Sequence, residues 1–474
     1  MNGQKPNVTL SLTTDQHLRL RLHLFSGDDM ESAAILLCRH RAGSHRHRLL
    51  VREIHEIPHE ACSQRSAVSN TWNTDLIASL LDRAEVEGFS VLKIHSHPSG
   101  YPGFSTTDDI ADRRLLPAIH GWVERDMPHG SVVMLPDGQM FGRVIWGDGE
   151  FQPIMCISVP GPDIHFWYAD NDSMTPADFT ASHAQAFGQG TTDRLRRLSF
   201  AIVGCSGTGS PVIEQLARLG AGHLVLVDDD HTEERNVNRL MNATMADARD
   251  RRPKVEVLAD AVWRMGLGTE VAVFERNLWD RDVVKAVAEC DVLFGCMDTA
   301  SGRFLLNMIA SYYTLPYFDL GVRLDAIPEK RGRGQIREVC GTVHYLQPGR
   351  SSLMSRGLIS MESVREEGLQ RHDPTAHAQQ IQDGYIRGAQ EDRPAVISVN
   401  MFIASLAVND LLARIHPYRE MPNVDIASIE FSLSSLEFYP DPESEPCEIL
   451  HDTVGRGDVE PLLDLVDLSE RVGG

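Results

Sequence analysis

The chain has 474 residues, 42% of them hydrophobic and 24% charged, with a formal net charge of −22. That length exceeds what one hydrophobic core ordinarily organises, so two or more domains are expected. The acidity argues against a binder of phosphate backbones, which needs a basic footprint, so nucleic acid is not an expected partner.

In chain order, the opening "MNGQKPNVTLSLTTDQ" has no apolar run of the kind a signal peptide needs. No unbroken apolar stretch long enough to span a bilayer is apparent, and no membrane partner is expected. "SAAILLCRH" reads as a buried strand, and "TDLIASLLDRAEVEG" as a helix capped near Thr74 and stopped by Gly88. "SVLKIHSH" is a strand that runs into "HSHPSGYPGFSTTDD". "GSVVML" and "FGRVIW", separated by "PDGQM", form the pattern of a β-hairpin. Residues 160–190 are rich in turn formers and small polar residues and read as a connection, leaving 1–159 as a first domain. From 191 to about 440 strands and helices alternate ("FAIVG", "SPVIEQLARLG", "HLVLVDDD", "VAVF", "DVLFGCMD"), which implies a mostly parallel sheet. Residues 441–474 are left as a C-terminal tail. The eight cysteines (38, 62, 156, 205, 290, 296, 340 and 447) include no C-x-x-C pair, so a reducing cytoplasm fits best.

His95 and His97 have strand spacing, which puts both imidazoles on one face, and Asp108 follows across a loop. Zinc hydrolysis needs three protein ligands, an open position and a base. The same residues also fit a plainer pattern: Ser105-x-x-Asp108 is a capping box for the helix "STTDDIADRRLL", with two structural histidines before it. The complete pattern H-x-H-P-x6-S-x2-D resembles the signature of JAMM (JAB/MPN+) metalloproteases, which have a cytidine-deaminase-like α/β fold. The resemblance implies that His95, His97 and Asp108 hold zinc and that Ser105 assists at the oxyanion. It also implies a general base on an early strand before an aliphatic run. "DDMESAAILLC" makes that base Glu31, with Glu53 and Glu56 as fallbacks.

In the second half, "AIVGCSGTGS" places Gly204, Gly207 and Gly209 between a strand and a helix, where backbone N–H groups can approach phosphates. Such a loop also occurs in dinucleotide-binding domains, and Asp228 at the next strand end suits a ribose in either case. Asn236-x-x-Arg239, the Pro–Lys254 helix start and Asp298 at a strand end favour handling of ATP with magnesium. From about Leu198 to Ile415 the chain resembles the Rossmann-like adenylation domain of ThiF/MoeB-like and ubiquitin-activating enzymes. The resemblance implies that Asp228, with Asp230 in the same acidic cluster, belongs to the ribose end. Asn236, Arg239 and Lys254 would hold the ATP phosphates, and Asp298 would bind magnesium.

Three departures bear on chemistry. Ser206 stands where the family often has glycine, which is tolerable if its φ stays negative. Arg194, Arg196 and Arg197 are available before the glycine loop, but none clearly matches the family's arginine from the partner subunit. Ser352 and Ser355 occupy positions where relatives carry C-x-x-C, and the C-terminal region offers only Cys447, so no second, structural zinc is expected. Residues 350–393 contain no cysteine. The chain can therefore stop at the adenylate, use Cys340, or use Ser352 or Ser355 as acyl acceptor.

Together the halves imply an α/β bifunctional enzyme of a bacterial ubiquitin-like conjugation pathway. It would depend on zinc, ATP and magnesium, act on a β-grasp protein ending in glycine, work with a conjugating enzyme and form a homodimer; family context also suggests antiviral defence. Two other readings stay open: processing of a sulfur carrier toward a thiocarboxylate, and a carrier-binding scaffold with one inactive site.

Overall fold

The computed structural model describes residues 5–169, 178–327, 335–375, 377 and 396–470. Part of the 350–393 stretch, and the residues after 470, lie outside these. The described residues divide into two compact units: those of Met1–Asp172 with Tyr312–Thr314 and Val454–Val459, and those of Ser173–Ser311, Leu315–Thr453 and Glu460–Gly474.

The first unit runs β1 (Asn7–Ser11), α1 (Thr14–Leu24), β2 (Ala33–Ala42), β3 (Arg46–Glu56), β4 (Cys62–Ser66), β5 (Ser69–Trp72), α2 (Ala78–Glu87), β6 (Phe89–Ser96), α3 (Thr106–Trp122), β7 (His129–Met134), β8 (Met140–Ile145), β9 (Phe151–Pro160) and β10 (Ile164–Tyr168). Its sheet has the order β1-β3-β2-β6-β7-β8-β9-β10, and β1 also pairs with β9, so the sheet closes on itself. Both faces of β2 are covered. Ala34, Leu36 and Cys38 join one core with Leu20 and Leu24 of α1. Ala33, Ile35 and Leu37 join another with Leu81 of α2 and Leu116 and Ile119 of α3. β6 divides by the same two-residue period: Leu92 and Ile94 go to the first core, Phe89 and Val91 to the second. Lys93 and His95 therefore lie on the α3 side. The "GSVVML"/"FGRVIW" hairpin forms as β7 and β8. The α2 segment differs in its start: Asn73, not Thr74, supplies the capping side chain, to a 3-10 turn over Thr74–Ile77 that precedes α2.

The expected connection over 160–190 needs correction. Ile164 and Phe166 are buried at alternate positions, and β10 pairs antiparallel with β9, so the first sheet continues past 160. Two short helices, α4 (Ala181–Phe187) and α5 (Gln189–Arg197), follow.

The second unit continues with β11 (Ser199–Val203), α6 (Gly209–Arg218), β12 (His223–Val227), α7 (Met245–Arg249), α8 (Lys254–Met265), β13 (Glu270–Phe274), α9 (Arg281–Val287), β14 (Val292–Gly295), α10 (Ala300–Tyr312), β15 (Tyr317–Ile327), β16 (Gln335–Leu346), α11 (Met361–His372), α12 (Ile397–Ile415), β17 (Ser428–Ser432), β18 (Glu437–Asp441) and α13 (Glu448–His451). The sheet order is β13-β12-β11-β14-β15-β16-β17-β18. From β13 to β15 neighbours are parallel, and from β15 onward antiparallel. The chain moves outward one way from β11 to β13 and then returns to the other side of β11 as β14. That reversal opens a crevice at the strand C-termini, where ligands bind in open α/β sheets.

Among the described residues Ile397–Ile415 alone is long and apolar enough to cross a membrane by length and composition. Its 18-residue window is 61% buried, and the helix packs against α6, β15 and β16. The segment after 441 packs as well: Cys447, Leu450, Leu462, Leu463 and Leu468 are all buried.

Candidate active sites

The first site forms where β6 ends against the start of α3. His95 Nε2 lies 2.9 Å from Asp108 Oδ1, His97 Nε2 3.3 Å from Asp108 Oδ2, and the two Nε2 atoms are 3.2 Å apart. All three residues are buried. The Nδ1 of His97 lies 2.9 Å from the carbonyl of Tyr101, which fixes Nδ1 as the protonated nitrogen and turns the Nε2 lone pair toward the cluster. The capping box is equally real: the Asp108 N–H donates to Ser105 Oγ (3.1 Å) and the Ser105 N–H to Asp108 Oδ2 (2.7 Å). The two readings of this stretch therefore coexist. The cap orients the Asp108 carboxylate, and the carboxylate faces the histidines. The Ser105 hydroxyl donates to Asp108 Oδ2 at 2.7 Å, so it must swing away to serve an oxyanion.

The electrostatics suit a divalent cation. Burial, then the charge of Lys93, pushes His95 down to about 4, which keeps it neutral. Burial works to lower His97 as well, but the Asp108 hydrogen bond and the Tyr101 carbonyl outweigh it and raise it. Burial would raise Asp108, yet the hydrogen bonds from His95 and His97 hold it well below the usual carboxylate range. One carboxylate and two imidazoles in a buried cluster are a zinc-type donor set, so the residues present fit that metal.

Glu31 stands beside this cluster, because β2 pairs antiparallel with β6 with Ala33 opposite His95. It is 7% exposed, and burial, reinforced by Asp108, pushes its carboxyl up to about 7 against the opposing charges of His97 and Lys93. Its N–H donates to Ser66 O (2.8 Å), and its carbonyl accepts from Arg65 Nε (3.1 Å). The fallback residues do not come to the site. Glu53 takes a two-pronged bond from Arg83 (2.8 and 2.9 Å), and Glu56 pairs with Arg19 (2.8 Å), both on β3, one strand further from β6.

The second site occupies the switch-point crevice. Of its three glycines, Gly204 and Gly209 are set against backbone and Gly207 against a side chain. Gly204 has φ +91°, and a Cβ there would meet Cys296 O at 2.5 Å; one on Gly207 would meet Asn400 Nδ2 at 2.3 Å, and one on Gly209 would meet Gly204 O at 1.9 Å. Ser206 is not among the residues with positive φ, which meets the condition for a serine there. Gly209→Ala is expected to abolish ATP binding, measured by calorimetry, while zinc content stays as in the wild type, because its backbone clash cannot relax through a side chain.

Asp228 anchors the loop: its carboxylate accepts the N–H of Cys205 (2.6 Å) and of Asp230 (2.9 Å). Buried Lys254 reaches Asp230 at 2.5 Å and Asp228 at 3.8 Å. Arg239 lies over the loop, with its Cδ 3.5 Å from where a Gly207 Cβ would be. Asn236 instead caps its own 3-10 turn, accepting the Glu233 N–H at 3.1 Å. Asp298 is exposed just beyond β14. Arg194 donates to Ile415 O (2.9 Å) and is committed to the end of α12.

Several residues went unread in the sequence. Asn400 of α12 is buried against Gly207. Glu367 of α11 accepts the N–H groups of Ala300 (2.9 Å) and Ser301 (2.7 Å), closing the positive end of α10 two residues after Asp298. Arg303 binds buried Asp319 through its Nε (2.9 Å), tying α10 to β15. Only Arg303 had a visible signal, lying one turn into the helix that Asp298 precedes.

None of the three candidate acyl acceptors is presented to the crevice as a ready nucleophile. Ser352 is 1% exposed, and its Oγ accepts the N–H of Met354 and of Ser355. Ser355 is exposed, but its hydroxyl donates to Ser352 O (3.2 Å). Cys340 is buried in β16 between Arg323 and Ser432, and burial raises its thiol. This donor set does not fit a structural zinc. Cys447 lies against the loop, its N–H on Arg350 O (3.1 Å), and Arg356 ties the loop to Glu443 (3.2 Å) and Tyr345 O (2.9 Å).

The chain thus joins a closed α/β unit bearing a buried His–His–Asp cluster to a nucleotide-type α/β unit with a glycine-lined switch point. It belongs to the ThiF family, whose model matches residues 180–444, and residues 13–172 match the prokaryotic homologs of the JAB domain. Among curated proteins, ubiquitin-like modifier-activating enzyme 5 of Culex quinquefasciatus is 24% identical over 41% of this chain and 49% of its own length. The SAMP-activating enzyme E1 of Haloferax volcanii is 33% identical over 27% of this chain and 46% of its own. The chain spans about half the length of these relatives. Among solved structures, E. coli MccB with MccA-N7isoASN covers 58% of this chain and 75% of its own at 16% identity and a TM-score of 0.45.

Proposed function

We propose that this chain processes and activates the C-terminus of one ubiquitin-like protein. The observation that carries the reading is the buried His95–His97–Asp108 cluster, with Glu31 beside it, in a chain whose other unit is of the ThiF family. The relatives' names, activating enzymes for a ubiquitin-like modifier and for SAMP, support a small protein as substrate.

In the adenylation unit a carboxylate oxygen of the terminal glycine attacks the α-phosphorus of ATP. The bond to the β-phosphate breaks, and pyrophosphate leaves. The glycine-loop N–H groups would meet the phosphates, Lys254 and Arg239 would neutralise them, and Asp298 would bind magnesium. In the JAB-type unit His95, His97 and Asp108 would hold zinc, which supplies Lewis acidity toward the scissile carbonyl. Glu31 takes the proton of the attacking water and returns it to the leaving nitrogen as the C–N bond breaks. A carboxyl poised near neutrality suits both transfers. A cytoplasmic homodimer acting with a conjugating enzyme completes the proposal.

ATP–pyrophosphate exchange that depends on a glycine-ending ubiquitin-like protein tests the first activity. Cleavage of that protein extended past its glycine tests the second. Recovery of the carrier as a thiocarboxylate would move the assignment to sulfur transfer.

A further inference from the structure

Lys93, Ser131 and Arg143 form a row across three neighbouring strands. Lys93 pairs with Ser131 in the β6–β7 register, and Ser131 with Arg143 in the β7–β8 register. Paired residues share a sheet face, and Lys93 is two residues before His95, so the row lies directly behind the metal-type cluster on the face that α3 covers. Asp112 of α3 is 0% exposed and sits over this row. Its Oδ1 accepts from Lys93 Nζ at 2.6 Å, and its Oδ2 from Arg143 Nη2 at 2.7 Å and Nε at 3.2 Å. The Ser131 hydroxyl has no hydrogen-bond partner, so Asp112 is held by the two cations alone from this row. Asp112 and Asp108 are one helical turn apart, on the same face of α3. Arg143 also binds Asp109 and lies over the rings of Phe104 (3.7 Å) and Phe151 (4.0 Å), gripping the chain on both sides of Ser105.

We propose that Asp112, clamped by Lys93 and Arg143, is the positioning residue of the metal site. It locks the first two turns of α3 against β6 and thereby sets where Asp108 stands relative to His95 and His97. A helix start frays unless it is tied down, and the Ser105 cap fixes only the orientation of the carboxylate, not the gap between helix and strand. A buried ionic triad adds little net stability over an apolar replacement, so positional specificity accounts for it better than fold stability does. This inference rests on the reading that the cluster holds zinc.

The test is zinc affinity, by chelator competition on the full chain, for the wild type, Asp112→Asn, Arg143→Lys and the apolar triple variant Lys93→Met/Asp112→Leu/Arg143→Met. Partners bonded directly to metal ligands typically contribute about 10- to 100-fold in affinity; Asp112 acts on Asp108 through the helix, and a loss of about 10-fold is expected in Asp112→Asn and in the triple variant. Arg143→Lys, which keeps the charge but not the fork, should fall between. The triple variant should keep the thermal midpoint of the zinc-free wild type, and its kcat for cleavage should fall with KM unchanged. Wild-type zinc affinity in a folded triple variant, or in Arg143→Lys should the triple fail to fold, would overturn the inference. A wild-type chain that binds no zinc would instead overturn the reading on which it rests.

Discussion

Glu31→Gln is expected to lower the rate of peptide-bond cleavage by about 10²- to 10⁴-fold while zinc content stays at the wild-type level. The amide keeps the size and the backbone bonds to Ser66 and Arg65 but can neither take nor return a proton. A second readout is independent of turnover. In the metal-free protein Glu31 keeps its proton up to about 7, whereas an unfolded carboxyl loses it near 4.5. The folded state therefore binds more protons in that window, and the stability Glu31 contributes below about 4.5 is lost as the pH rises to about 7. His97, also raised, has a slope of the same sign, and it remains in the variant. The difference between the two stability curves across this window, from thermal melts in chelator, reports Glu31 together with the part of the His97 shift that the Glu31 charge supplies. Identical curves and unchanged cleavage would remove Glu31 from the site.

Lys254→Met is expected to lower pyrophosphate exchange by about 10²- to 10³-fold, the scale of losing one preorganised charge at a developing anion. Lys254 is buried, so its ammonium cannot be replaced by solvent, and α8 holds it between Asp228 and Asp230. Burial already raises the Asp228 carboxyl, and Lys254 is the main influence opposing that rise. On the proposed reading the variant loses a phosphate contact, and with it the main influence holding down the carboxyl that anchors the glycine loop. Zinc content and cleavage of an extended carrier should be unchanged. A change in exchange of less than roughly threefold would place Lys254 outside the catalytic set.

Much of this was legible in the sequence because the chemistry is local. His95, His97 and Asp108 lie within one strand–loop–helix segment, and Gly204, Gly207 and Gly209 lie within one turn whose spacing encodes its own geometry. Contacts between elements distant in the chain were not legible. Asp112 has meaning only once β7 and β8 bring Arg143 into line with Lys93, and Glu367 only once α11 reaches the start of α10. β10 was hidden because its apolar alternation is short and lies among turn-forming residues. The burial of Ser352 and Cys340 and the hydrogen bonds of Ser352 and Ser355 were not legible either, since spacing reveals neither.

The most direct test of the claim that both units serve one C-terminus uses a ubiquitin-like protein ending in glycine, prepared mature and with a short C-terminal extension. Each form is supplied with zinc, ATP, magnesium and labelled pyrophosphate. The wild-type chain should support exchange with both forms, and His95→Ala/His97→Ala with the mature form alone. Exchange of the extended form by that variant, or no cleavage of it by the wild type, would contradict the account.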